Sequence, residues 1–297
     1  MMQVLHLERG RTQCSIIPEA GGRLHQLELF DGRAWLALLH SPDDPQETLA
    51  APTMSGSFAM VPWPNRIAGG VFEFEGKSYE LPRNHHGHAI HGFGFDRPWQ
   101  IESSTSAACR LTLDFGDAWP FGGRAVQEFQ LFDDAIAQSI ELHATDRPFP
   151  AGAGWHPWFS RNIRPGADPA VCVPATQTYE TDDEIPTGRL VKVAGDSDLR
   201  DCPPLAERRL DTCYRLLDQP MRIRWTDVEL AMEQSPNVGH AVVYTPPEAF
   251  CVEPQTCTID AFNLAARGFD GSGMTVVTPD HPLIATTNWR WHIETSE

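Results

Sequence analysis

Apolar residues recur along this chain with a period of two, the spacing of a strand that buries one face. In Val71-Phe72-Glu73-Phe74-Glu75-Gly76-Lys77-Ser78-Tyr79-Glu80-Leu81 they alternate on either side of a Glu-Gly-Lys turn, which predicts a hairpin. A second antiparallel pair is predicted about Asp133-Asp134. Gln127, Phe129 and Leu131 share a face before it, and Ile136, Ile140 and Leu142 share one after it. Shorter runs of the same period lie at Leu111 to Phe115, at Trp289 to Ile293, and at Met221 to Trp225, where Arg222 and Arg224 point opposite to Met221, Ile223 and Trp225. Val242 to Tyr244 and Thr275 to Val277 are turn-bounded and rich in β-branched or aromatic residues. No stretch has convincing helical spacing, and 25 prolines with 23 glycines leave few windows that could sustain a long helix. The pattern predicts an all-β protein whose sheets pack face to face. With no internal repeat or low-complexity linker, residues 1–297 are expected to form one domain. Asp182 to Pro204, polar and turn-rich, is expected to be a long surface excursion.

Charge narrows the partners. Among 297 residues, 40 are Asp or Glu against 23 Lys or Arg, a formal charge of −17. That field opposes phosphate backbones and anionic membrane surfaces, so neither nucleic acid nor a membrane is an expected partner. Met1 to Gly10 lacks a basic start followed by an apolar run, and no apolar stretch reaches the ~18 residues of a membrane span, so a cytoplasmic protein is expected. The seven cysteines are spread singly with no CxxC spacing, which disfavours a disulfide framework or a zinc ribbon and leaves buried or idle thiols.

Four segments carry candidate chemistry. The first is His85-His86-Gly87-His88-Ala89-Ile90-His91-Gly92. If this tract is a strand, His86 and His88 point to one face as metal ligands would. Gly92 and Phe93 then stand where a cupin-type site needs a glutamate, so solvated loop histidines are the competing reading. Within the tract His91 is distinctive, because His-Gly-Phe-Gly-Phe places flexible glycines and aromatic rings beside one imidazole, which suits a small-molecule pocket where an aromatic face could cover a ligand such as a sugar ring. The second segment is Gly154-Trp155-His156-Pro157-Trp158-Phe159, where a histidine lies between two tryptophans. It is either a packed core histidine or a pocket residue held rigidly by Pro157. In the third, Phe250-Cys251-Val252-Glu253-Pro254, a carboxylate follows an apolar run. It is either a surface residue at a strand end or a partly buried acid with a raised pKa, suited to general acid/base work. The fourth, Pro62-Trp63-Pro64-Asn65-Arg66-Ile67, presents an amide and a guanidinium that could bind hydroxyl or carboxylate oxygens or form a structural ion pair. GxSxG, HExxH and GxGxxG are all absent.

Taken in order, these segments resemble the aldose 1-epimerase (galactose mutarotase) family. The matching pieces are Pro18 to Gly22, Val61 to Gly76 with its Asn-Arg-Ile core, Gly87 to Trp99, Gly154 to Phe159, Leu210 to Tyr214 and Phe250 to Asn263. The resemblance implies a large antiparallel β-supersandwich that needs neither metal nor cofactor and interconverts the α and β anomers of a free aldose. By that resemblance His156 is the general acid at the ring oxygen and Glu253 the general base at the anomeric hydroxyl. Arg66 and His91 hold sugar hydroxyls, with Asn65 beside them. The family's pocket aspartate is matched best by Asp211, with Asp227 the alternative. The expected partner is a monosaccharide, and the expected assembly a monomer or homodimer. A neutral sugar meets no penalty from the net charge, whereas a sugar phosphate would need more arginines than Arg66 and Arg97. A sugar-binding protein without catalysis, or a glycoside hydrolase using Glu253 and Asp211, are the competing functions.

Overall fold

The computed structural model describes residues 2–166, 168–206 and 208–294. Among them, two antiparallel sheets of 11 and 8 strands dominate, with three two-stranded ribbons alongside. The predicted hairpins are present: Val71–Phe74 pairs with Lys77–Glu80, and Arg124–Leu131 pairs with Ala135–His143. The shorter runs coincide with the strands Ala108–Asp114 (which ends one residue before Phe115), Met221–Trp225, His240–Tyr244, Thr275–Val277 and Leu283–Ile293. Helix is confined to Ala261–Ala266 and a few short 3-10 turns among the described residues, and none is long and apolar enough to cross a membrane. All seven cysteines are free.

One expectation is corrected. Asp182 to Pro204 is not simply a surface excursion, because Ile185–Lys192 is a strand that pairs with Ala175–Asp182. It lies at the end of the larger sheet and has a neighbour on one side only, so most of its side chains stay at least partly exposed and its alternation is weak.

The two sheets meet through the inner face of each. In the larger sheet, Gly154–Ser160 lies between Ser57–Met60 and Ala249–Gln255, and His240–Tyr244 and Asp211–Leu216 follow in turn. Trp155 and Phe159 from the first of these strands, with Phe250 and Val252 from the third, join the main core. Phe159 packs 5.5 Å from Trp289 and 6.1 Å from Trp225, both supplied by the smaller sheet. Side chains of a strand alternate between faces, so their neighbours in sequence must emerge on the opposite, outer face of the larger sheet. Phe58, Trp158 and Cys251 do so, in an apolar cluster separate from the main core.

Candidate active site

The same alternation brings together residues that are far apart in sequence. His156 lies between Trp155 and Pro157 and shares the outer face with Trp158; Glu253 shares it with Cys251. Asp211 and Tyr244 reach this face from the two strands beyond. The result is a cavity of about 240 Å³ lined by Asn65, Arg66, His91, His156, Asp211 and Glu253, among others. At ~30 Å³ per liquid water this is room for about eight waters, the scale of a monosaccharide.

Two prolines loosen the sheet where the cavity needs it. The ladder between the His156 strand and the Glu253 strand is in register at Gly154 with Gln255 and again from Trp158 with Cys251, but not between. Pro157 and Pro254 fall in that gap, and neither has an N–H to donate. The Nε2 atom of His156 stands 3.4 Å from Oε1 of Glu253. Phe58 stacks against the His156 ring at 4.7 Å and 25°, and Trp158 stacks against it at 5.5 Å and 11°. The imidazole is thereby fixed in orientation.

Loops close over the sheet from above. Asn65, with φ 52°, turns back so that its Oδ1 accepts from the Arg66 backbone N–H at 2.9 Å and from Arg66 Nη1 at 3.1 Å. The short strand Arg66–Ile67 pairs with Ala89–Ile90, which delivers His91. His91 and Gly92 are both left-handed, and the His91 N–H donates to the Asn65 carbonyl at 2.9 Å. A Cβ on Gly92 would lie 1.9 Å from the Val61 carbonyl oxygen, so only glycine fits there. The His91 ring stands edge-on to His156 at 4.9 Å and 84°.

Burial sets the charge states. It pushes the Glu253 carboxyl well above the usual carboxylate range, reinforced by Asp211 and opposed by Arg66. It pulls His156 down to about 3, helped by the positive charge of Arg23. His91 is also pulled well below its ordinary value, by burial and then by His156 and Arg66. Arg23 is itself fully buried, its guanidinium 4.9 Å from the Phe58 ring, and it donates to the carbonyls of Ala20, Pro52, Ser55 and Phe95. A buried imidazole beside a buried carboxyl, each resisting its charged form, is an arrangement for passing one proton back and forth.

A family model for aldose 1-epimerase matches residues 3–270. The chain belongs to the aldose 1-epimerase family. In sequence it is 25% identical to the uncharacterized protein YihR of Escherichia coli strain K12 over 274 residues, 88% of this chain and 86% of that protein. A galactose mutarotase-like protein from Clostridium acetobutylicum has the same fold, with a TM-score of 0.87 at 18% identity over 98% of this chain and 96% of that one. The GalM/aldose epimerase homologue from C. elegans superposes with a TM-score of 0.86 at 16% identity, over 99% of this chain and 100% of that one.

Within this aldose 1-epimerase fold, all six site residues expected from the sequence line one cavity: Asn65, Arg66, His91, His156, Asp211 and Glu253. Asp227 does not line it, being paired with Arg164 at 2.8 Å. Of the two readings of His86 and His88, the strand reading fails and the loop reading holds. His85 to His88 is a tight turn closed by reciprocal backbone hydrogen bonds, with His86 at φ 44° and Gly87 at φ 84°. His88 Nδ1 accepts from the Gly69 N–H, and His86 joins His85 in a 4.1 Å stack on the cavity rim. Among the described residues, the group disposed to hold a metal ion is instead His156, Cys251 and Glu253. Glu184 is a cavity residue that the sequence does not reveal. Its only signal is the acidic run Asp182-Asp183-Glu184 ahead of Ile185-Pro186, which reads as an ordinary solvated turn.

Proposed function

We propose that this protein is an aldose 1-epimerase that interconverts the α and β anomers of a free aldose. The observation that carries this reading is the 3.4 Å approach of His156 Nε2 to Glu253 Oε1 at a cavity of monosaccharide size. Anomer exchange needs one proton delivered to the ring oxygen and one removed from the anomeric hydroxyl, and both oxygens are bonded to the same carbon. In the forward direction the Glu253 carboxylate takes the hydroxyl proton while the protonated His156 gives its proton to the ring oxygen. The bond from the anomeric carbon to the ring oxygen breaks, and the hydroxyl oxygen becomes the aldehyde oxygen. After rotation about the adjacent carbon–carbon bond the ring recloses on the other face. His156 recovers its proton from the ring hydroxyl, and Glu253 returns its proton to the new anomeric oxygen.

The two protonation states of the pair differ only in which partner holds one proton, so the buried pair carries no net charge in either. Arg66, Asn65, His91 and Asp211 hold the remaining hydroxyls and fix the ring over the pair. Each proton-transfer group is expected to supply about 10²- to 10⁴-fold. The test is polarimetric relaxation of freshly dissolved α-glucose, α-galactose and other aldoses with and without protein. Acceleration supports the reading; no acceleration over a broad panel, with release of a chromophore from aryl glycosides, would replace it with a hydrolase.

A further inference from the structure

The cavity contains a cation that is already engaged. Arg66 is almost wholly buried, and its Nη2 atom lies 3.0 Å from Glu184 Oε2 and 3.6 Å from Asp211 Oδ2, while Nη1 donates to Asn65. Nε has no hydrogen-bond partner among the described residues, but it is buried. The guanidinium edge that faces the opening is therefore flanked by two carboxylates, each more than a third exposed.

Glu184 comes from an unusual place. Asp182 and Ile185 are paired across the end of a hairpin, so Asp183 and Glu184 form a two-residue turn, with φ 46° and 68°. Turns with positive φ at both positions favour Asn-Gly, and a glutamate there is held against its backbone preference. Its ion pair with Arg66 offsets that strain.

We propose that Glu184 is a specificity-determining residue that restricts this cavity to uncharged sugars. A neutral hydroxyl can donate to Glu184 or Asp211 and accept from Arg66 without disturbing the pair. A sugar carrying a carboxylate, sulfonate or phosphate must displace Glu184 from Arg66 and then lie beside Asp211 as well. Removing the Glu184 charge leaves a buried arginine with a vacant outward nitrogen, which is a binding site for an anion. The proposal rests on the aldose-binding reading of the cavity, but it concerns selection rather than catalysis.

Methyl hexopyranosides and the corresponding methyl hexuronides have locked anomeric centres, so their binding can be measured without turnover. Calorimetry on the wild-type protein should show tighter binding of the neutral member of each pair. Glu184→Gln should raise the affinity of the uronide relative to the neutral sugar by tenfold or more, and added salt should weaken that gain. A smaller change, or wild-type protein that binds the uronide as tightly as the neutral sugar, overturns the proposal. Glu184→Gly combined with Asp183→Asn suits the turn and provides the same readout should the glutamine variant not fold. Mutarotation measured on the same wild-type preparation separates the two ideas. A shifted ratio without mutarotation removes catalysis and keeps selection; mutarotation with an unshifted ratio does the reverse.

Discussion

His156 and Glu253 sit on adjacent strands of the larger sheet, their nearest polar atoms 3.4 Å apart across a stretch where the ladder is interrupted. The two oxygens of a hemiacetal carbon are bonded to one atom, so one small ring can meet both side chains at once.

Replacing either partner should remove the activity. His156→Ala and Glu253→Gln are each expected to slow mutarotation by at least 10²-fold, the scale of a single general acid or base. The double variant should be little worse than either single one, because the two groups act as a unit. Polarimetry on the three variants checks this, and additive losses would show that the residues act in separate steps.

The buried pair should also leave a signature in stability. Glu253 is raised on folding, so above the ordinary carboxylate pKa of ~4.3 the native state binds more protons than the unfolded chain, and this group's contribution falls as pH rises toward the folded value. His156 has the opposite sign. Its folded value of about 3 lies below the unfolded ~6.5, so its contribution is lost as pH falls through that interval. Glu253→Gln should therefore raise the melting temperature at about pH 8, with the gain shrinking toward about pH 4. An equal gain at both values would exclude the linkage.

Gly92 should not tolerate a side chain. Gly92→Ala forces a Cβ against the Val61 carbonyl at a left-handed position, and it should cost more than ~1 kcal/mol of stability. The displacement passes to His91, so KM for the aldose should rise as well. Denaturant unfolding together with steady-state kinetics measures both effects. Unchanged KM would mean that His91 does not hold the sugar.

Dialysis against a chelator should leave the mutarotation rate unchanged, since each proposed proton transfer uses a protein side chain. A loss restored by added zinc would instead assign a metal to His156, Cys251 and Glu253, whose ligand atoms lie within 4.8 Å of one another.

Much of this architecture was legible in the chain. Strict alternation disclosed the hairpins about Glu75-Gly76 and Asp133-Asp134, because one face of each strand must be apolar. His156-Pro157 and Glu253-Pro254 stood out because a polar residue beside a proline in an apolar run has a local signature. Glu184 had none: its role depends on which strand its hairpin lies beside, and that pairing is made with residues remote in sequence. The histidine tract carried two readings, and the loop reading is the one the backbone bears out. His86 and His88 have strand spacing, but His86 and Gly87 adopt positive φ and turn the chain back, so the two rings do not share a strand face. Asp211 was already the better match in the chain, and the alternative Asp227 falls away only because Arg164 holds it elsewhere.

The hairpin that carries Glu184 ends the larger sheet, whereas His156 and Glu253 occupy strands with neighbours on both sides. Randomising positions 183 and 184 would disturb no interior pairing, so such a library should yield mostly folded proteins that differ in the sugars they accept. The same exercise at 156 and 253 should yield inert ones. Substrate range in this molecule can thus be engineered from its margin, with the chemistry left untouched in the middle.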